Sequence, residues 1–229
     1  KDGEIIWVWE RGRAVSDDDE LVLEGIILDI TDRKNLEARL SELATLDSLT
    51  GQPNRREIER VLQDELARAR RYGRQLAVLW VDLDYFKRVN DSFGHAIGDQ
   101  VLRTVSLRLA DSIRSVDTLG RYGGEEFIIV LPELSVQEAR ETAERLRQCV
   151  ACEPVVTTAD QSVALTVSIG VAVYPDHADT AETLCEAADR AMYRAKDAGR
   201  NQVAVALRDR DAAAVSERLQ LSLKDSQNR

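Results

Sequence analysis

A chain of 229 residues with a formal net charge of −10 has room for one good-sized domain with smaller pieces attached. Its apolar and charged fractions are ordinary for a globular protein; no apolar run approaches the roughly 20 residues that cross a bilayer, and nothing resembles a signal peptide, so a membrane anchor is expected only outside this chain. The negative charge argues against long-range attraction to nucleic acid or an anionic membrane, and an anionic small ligand would need a local site of cations or metal.

In chain order, "GEIIWVWERG" and "LVLEGIILDI" flank the turn cluster "SDDDE", which predicts a β-hairpin over residues 1–30. Two strands alone are marginal in water, so the hairpin reads as the edge of something larger. From Asp32 the pattern turns helical, with Leu36, Leu40 and Leu43 spaced by four and three. This is either a short coiled-coil seam that pairs with its copy in a dimer or a simple amphipathic helix. "LDSLTGQPNRR" (46–56) carries turn chemistry, and Ile58, Val61, Leu62, Leu66 and Ala69 then mark one face of a helix.

"LAVLWVDLD" (76–84) is a continuous apolar run ending in acids, the pattern of a buried strand that delivers carboxylates at its C-terminal end. A helix is expected over 98–113, then strands at 117–122 and 125–131 around a glycine turn. Ser135 and Glu138 form a capping-box pattern that opens a further helix. A strand over 163–174, a helix from about Thr180 to Ala198 and a short strand near 202–206 complete the order. This β-α-β-β-α-β-α-β order predicts an α+β fold: a split βαβ core with a mostly antiparallel sheet and helices on one face. The residues from Arg208 onward read as a polar helical tail.

The three cysteines are an odd number and suit a reducing, cytoplasmic compartment. Cys149 and Cys152 form a C-x-x-C, but only Cys185 and two histidines are left to complete a metal site, so the spacing is read as structural. Asp82 and Asp84 end the first core strand, and Glu125 and Glu126 head the third, just after Gly123 and Gly124. If those strands are neighbours, the acids converge at one sheet edge, where hard oxygen ligands suit Mg²⁺ or Mn²⁺. Singly, each reads as a solvated strand end; the glycine pair, which lets a ligand approach bare backbone, weakens that reading. Lys196 and Arg200, four apart, match either a triphosphate site or a solvated helix end. Asn90 and Asp99 have the donors and acceptors for a purine edge, or are loop residues.

Five ordered segments, "DSLTGQPNRR", "VDLDYFKRVNDSFGHAIGD", "RSVDTLGRYGGEEF", "VSIGVAVYP" and "ADRAMYRAKDAGRN", resemble the successive motifs of the GGDEF family, the diguanylate cyclases, from about Asp47 to Val205. The resemblance implies that Asp82 and Glu125 bind Mg²⁺ or Mn²⁺ with the backbone of Leu83, and that Asn90 and Asp99 recognise guanine. It implies that the backbone around Tyr85, Phe86 and Lys87, with Gly123, Gly124, Lys196 and Arg200, cradles the phosphates. Two GTP molecules would face each other across a homodimer and condense to cyclic di-GMP with loss of pyrophosphate. No general base is assigned; Glu126 is the candidate. Arg114 and Asp117 resemble the family's inhibitory R-x-x-D site for product, with Arg145 as a secondary arginine.

Gln52 departs from the leucine usual after "LTG" in the family. Residues 1–31 resemble the last strands of a PAS sensor domain and 32–46 its signalling helix, with the GGDEF domain over 47–207. The tail over 208–229 is similar to the lead-in to a downstream EAL phosphodiesterase domain. Two other readings stand beside the cyclase: a GTP-binding regulatory module that controls such a phosphodiesterase, and a cyclic di-GMP receptor acting through Arg114 and Asp117 alone.

Overall fold

The structure, a computed structural model, describes residues 6–17, 20–36, 45–158 and 161–207. The seam positions Leu40 and Leu43, part of the "SDDDE" turn and the tail from Arg208 lie outside the described residues. Backbone contacts divide the chain into two units, Lys1–Thr45 and Leu46–Arg229.

In the first unit, β1 (Val8–Asp17) and β2 (Glu20–Asp29) form an antiparallel hairpin in register from Val8↔Asp29 to Asp17↔Glu20. Its base is closed by the Trp7 N–H on Thr31 Oγ1 at 2.8 Å and the Ile30 N–H on the Trp7 carbonyl at 2.8 Å. Residues 31–36 then turn helical. Trp9, Leu28 and Ile26 are exposed, and the register places them on one face of the ribbon.

The second unit opens with α1 (Arg55–Tyr72). Asn54 caps it by accepting the Glu57 N–H, and Gly73, with φ of 63°, ends it in the left-handed region that glycine tolerates. Ile58, Leu62, Leu66 and Ala69 form its buried stripe. Then come β3 (Leu76–Leu83), α2 (Phe86–Phe93), α3 (His95–Asp111), β4 (Thr118–Gly123), β5 (Glu126–Pro132) and α4 (Val136–Ala151). They are followed by β6 (Val155–Val156), β7 (Ser162–Val163), β8 (Val167–Tyr174), α5 (Ala181–Asp197) and β9 (Val203–Val205). The five-stranded sheet runs β4-β5-β3-β8-β9, antiparallel throughout except for the parallel pair β8–β9.

Helices cover both faces of this sheet, not one. Ala77, Leu79, Val81 and Leu83 of β3 pack with α2, α3 and α4, while Val78 and Trp80 pack with α1 and α5. The unbroken apolar run of β3 is the reason, because a strand without a polar face must be covered twice. Close approach on the α5 side needs Gly170 on β8, where a Cβ would overlap the Ala188 carbonyl oxygen and the Met192 nitrogen.

Three elements differ from the sequence reading. Residues 86–93 form a helix of their own, α3 starts at His95, and β6 and β7 make a small extra hairpin. Gly94, with φ of 83°, splits the two helices, and α2 escapes an apolar-period search because only Phe86 and Val89 on it are buried. The Ser135–Glu138 capping box forms as expected.

Candidate active site

The C-terminal end of β3 meets the β4–β5 hairpin tip in register, so that Asp82 lies directly across from Glu126. Glu125 sits in the turn, and its carbonyl accepts the Leu83 N–H at 3.3 Å. The acid opposite Asp82 on the ladder is therefore Glu126, while Glu125 lies in the turn, half-buried. Asp82 is 4% exposed. Its Oδ2 takes the Lys196 Nζ at 2.7 Å, and its Oδ1 is buried with no hydrogen-bond partner among the described residues.

Burial pushes the Asp82 carboxyl up to about 6; Lys196 pulls against this, and the carboxylates of Glu125 and Glu126 add to it. A buried carboxylate oxygen without a donor, with two more acids close by, fits a hard divalent cation such as Mg²⁺ or Mn²⁺. Among the described residues no three His, Cys, Asp or Glu side chains converge as a protein-only metal cluster. Such a cation would need further oxygens from backbone, water or phosphate, as Mg²⁺ usually does. Leu83 can offer only its backbone, since its side chain is in the core.

The tip itself is a two-residue turn with Gly124 at φ of 31°. Arg121 grips it: its guanidinium donates to the Gly124 carbonyl at 2.7 Å and to Asp47 at 3.0 Å, and its own N–H donates to the Pro53 carbonyl at 2.8 Å. Burial works against charge on Asp47, but hydrogen bonds from Thr50 and Arg121 outweigh it and hold the carboxyl below its usual range. Thus the 46–56 turn is a brace for the glycine hairpin. Gln52 belongs to that brace through its carbonyl, which accepts the Asp47 N–H at 2.8 Å.

Beside this tip, Asp84 is buried and accepts the Thr166 hydroxyl at 2.6 Å, the Ser168 hydroxyl at 2.7 Å and the Asn201 N–H at 2.9 Å. It joins β3, β8 and the turn after α5. Tyr85 (φ 56°), Arg200 (φ 66°) and Asn201 (φ 47°) are all left-handed, and all three adjoin Asp84 in sequence or space. Strained backbone of this kind persists only where the surroundings over-determine it. The Tyr85 ring centroid lies 4.4 Å from the Arg88 guanidinium and 4.5 Å from that of Arg200. Lys196 and Arg200 therefore reach separate partners, Asp82 and Tyr85. Phe86 is buried and Lys87 exposed at the start of α2, which no side chain caps and where the Arg88 N–H donates to the Tyr85 carbonyl at 2.8 Å.

Asn90, on α2, lies against Gly98 in the first turn of α3: a Cβ on Gly98 would overlap Asn90 Oδ1. Asp99 follows on the same turn and is exposed. The two candidate base readers are thus brought together at the α2–α3 junction.

Arg114 and Asp117 close on each other, with Nη2 to Oδ1 at 2.6 Å and the Arg114 N–H on Oδ2 at 2.9 Å. Arg114 also lines a cavity of about 300 Å³ with Arg68, Tyr72 and Arg74. Arg145 instead donates to the Ser112 carbonyl at 3.1 Å and is not among the residues lining that cavity. Cys149 contacts the Ser112 hydroxyl at 3.2 Å and Cys152 the Cys149 carbonyl at 3.3 Å, so each thiol of the C-x-x-C has a local structural partner.

The sequence reading missed the grip of Arg121 and the contact of Trp80, whose indole N–H donates to Glu126 Oε1 at 3.2 Å. The available signal was an indole, with its obligatory donor, inside an otherwise apolar strand.

Residues 44–202 match the family model described as "Diguanylate cyclase, GGDEF domain". The chain is 43% identical over 172 residues to the response regulator PleD of Caulobacter vibrioides (strain NA1000 / CB15N), covering 75% of this chain and 38% of that protein. It is 45% identical over 158 residues to the diguanylate cyclase DosC of Escherichia coli (strain K12), covering 69% and 34%. The chain thus spans little more than a third of the length of these relatives. Among solved structures, it resembles the coiled coil and GGDEF domain of DgcB from Caulobacter crescentus in complex with c-di-GMP, with TM-score 0.70, 32% identity and coverage of 76% and 91%. It also resembles the GGDEF domain of PA1120 from Pseudomonas aeruginosa, with TM-score 0.67, 38% identity and coverage of 69% and 98%.

Proposed function

The chain belongs to the GGDEF family, and from that premise we propose that it is a metal-dependent diguanylate cyclase acting as a homodimer. Each protomer binds one GTP, and the 3′-hydroxyl of each attacks the α-phosphorus of the other. Two phosphodiester bonds form, two bonds to pyrophosphate break, and cyclic di-GMP results. The observation that carries this reading is Asp82, buried with one oxygen unpartnered, beside Glu125, Glu126 and Lys196 at the end of β3.

Asp82, Glu125 and the Leu83 backbone are the residues that would hold Mg²⁺ or Mn²⁺. When bound, the cation spreads the charge that develops on the phosphates. Lys196 and Arg200, with the backbone of Tyr85, Phe86 and Lys87 and the bare tip at Gly123 and Gly124, hold the triphosphate. Asn90 and Asp99 orient guanine. Positioning of this kind supplies most of the catalysis in phosphoryl-group chemistry. Arg114, paired with Asp117 at the rim of its cavity, is the feedback site for product, with Arg145 as the secondary arginine. Residues 1–31 are the end of a PAS sensor, 32–46 the signalling helix, 47–207 the cyclase domain, and 208–229 a polar tail or outgoing linker helix. Among the described residues no helix is long and apolar enough to cross a membrane.

The test is incubation of purified protein with GTP and Mg²⁺, following pyrophosphate and cyclic di-GMP by mass. Product is expected, lost with a chelator and restored by Mn²⁺. Tight GTP binding without product overturns the enzyme in favour of a GTP-binding regulatory module.

A further inference from the structure

Trp80 stands two residues before Asp82 on β3, on the same face of the sheet, and diagonal to Glu126 across the β3–β5 ladder. Its indole Nε1 donates to Glu126 Oε1 at 3.2 Å. Trp80 is 7% exposed, and its ring makes an edge-to-face contact with Tyr122 at 4.7 Å between centroids. Tyr122 in turn lies under the Arg55 guanidinium at 4.3 Å. A buried indole has one donor and no acceptor, so its N–H is costly to leave unmade. The other Glu126 oxygen lies over the hairpin, 3.8 Å from where a Cβ on Gly123 would stand. Glu126 is therefore held on one oxygen by a buried, packed indole, while its other oxygen faces the bare glycine turn. Its neighbour Asp82 is turned to Lys196.

We propose that Trp80 is a positioning residue that holds Glu126 beside the cation site of Asp82 and Glu125 without letting it become a ligand; this rests on the reading of that site as a metal–nucleotide centre. The physical argument is one of crowding. Asp82 stands directly across the ladder from Glu126, and the Glu125 carbonyl bonds the next residue, Leu83, so three carboxylates share one corner. A loose Glu126 would swing onto the cation, raise its affinity for the protein and take a position that a phosphate oxygen needs, since Mg²⁺ and Mn²⁺ sites of this kind use one or two carboxylates plus substrate. Tethered, Glu126 contributes negative potential and leaves that position open. The two adjacent glutamates thus do different work because one of them is tied to a tryptophan.

Trp80→Phe keeps the buried ring and removes only the donor. Mn²⁺ binding to the nucleotide-free protein, measured by calorimetry, is expected to tighten about three- to tenfold in this variant, while KM for GTP rises by a similar factor because the freed carboxylate competes with the substrate phosphate. In a Glu126→Ala background the same substitution is expected to leave Mn²⁺ affinity unchanged, because the partner is gone. Equal or weaker Mn²⁺ binding by Trp80→Phe, or the same change with and without Glu126, overturns the proposal. If Trp80→Phe does not fold by circular dichroism, Trp80→Leu carries the same expectations. Should the parent protein form no cyclic product, the enzyme reading falls, and the Mn²⁺ comparison still decides the role of Trp80.

Discussion

Replacing Asp82 by asparagine should stabilise the metal-free protein while ending its activity. A carboxyl moved from 3.8 up to about 6 corresponds to about 3 kcal/mol against the ionised form. The sign follows from the direction: the folded state holds this proton more tightly than the unfolded chain does. The stability that it contributes is fully present below pH 3.8 and lost as the pH rises through about 6. Above that, the wild type carries a buried anion that only Lys196 offsets. The neutral side chain removes this cost but leaves Lys196 without its partner. Because the Lys196 side chain keeps 24% of its surface exposed, its charge reaches water, and the net gain at pH 8 is about 2 kcal/mol, or about 4–8 °C in Tm. The assay is thermal unfolding by circular dichroism with a chelator present, from pH 8 down to pH 5. The advantage of Asp82→Asn should shrink as the pH falls. With Mg²⁺ and a non-hydrolysable GTP analogue, only the wild type should gain stability. An Asp82→Asn protein that is no more stable at pH 8, with no trend in pH, would refute the claim that this carboxylate is held at an energetic cost for a cation.

Gly98→Ala puts a methyl group where Asn90 Oδ1 lies; the amide must swing away, and KM for GTP is expected to rise at least about tenfold with Tm nearly unchanged. An unaltered affinity for the GTP analogue would remove Asn90 from guanine recognition. Asp84→Ala deletes the acceptor for Thr166, Ser168 and Asn201, with an expected loss of about 3 kcal/mol in urea unfolding and weaker analogue binding as the Arg200 turn relaxes. Gly170→Ala forces α5 off the sheet and should cost about 3 kcal/mol by the same measurement; a Tm equal to wild type would contradict the packing. Arg114→Ala should leave the initial rate in place and straighten the progress curve as product accumulates; curvature identical to wild type argues against feedback there.

The sequence alone determined the elements whose signals are local. The apolar run at 76–83 read as a buried strand, and Ser135 caps the helix that its capping-box pattern announces. The ordered motifs placed Asp82, Glu125, Asn90, Lys196 and Arg200 in one family framework before any geometry was known. What tertiary structure alone decided is who faces whom. Strand register is a property of two strands, so Glu126, and not Glu125, stands across from Asp82. The direction of a side chain near a helix end depends on its neighbours in space, which is why Lys196 goes to Asp82 while Arg200 stacks on Tyr85. The covering of both sheet faces, the separation of Arg145 from the Arg114 cavity and the Trp80 clamp on Glu126 have the same origin. Each joins residues 33 to 115 positions apart, or a whole layer of helices, and periodicity along a chain carries no information about such pairs.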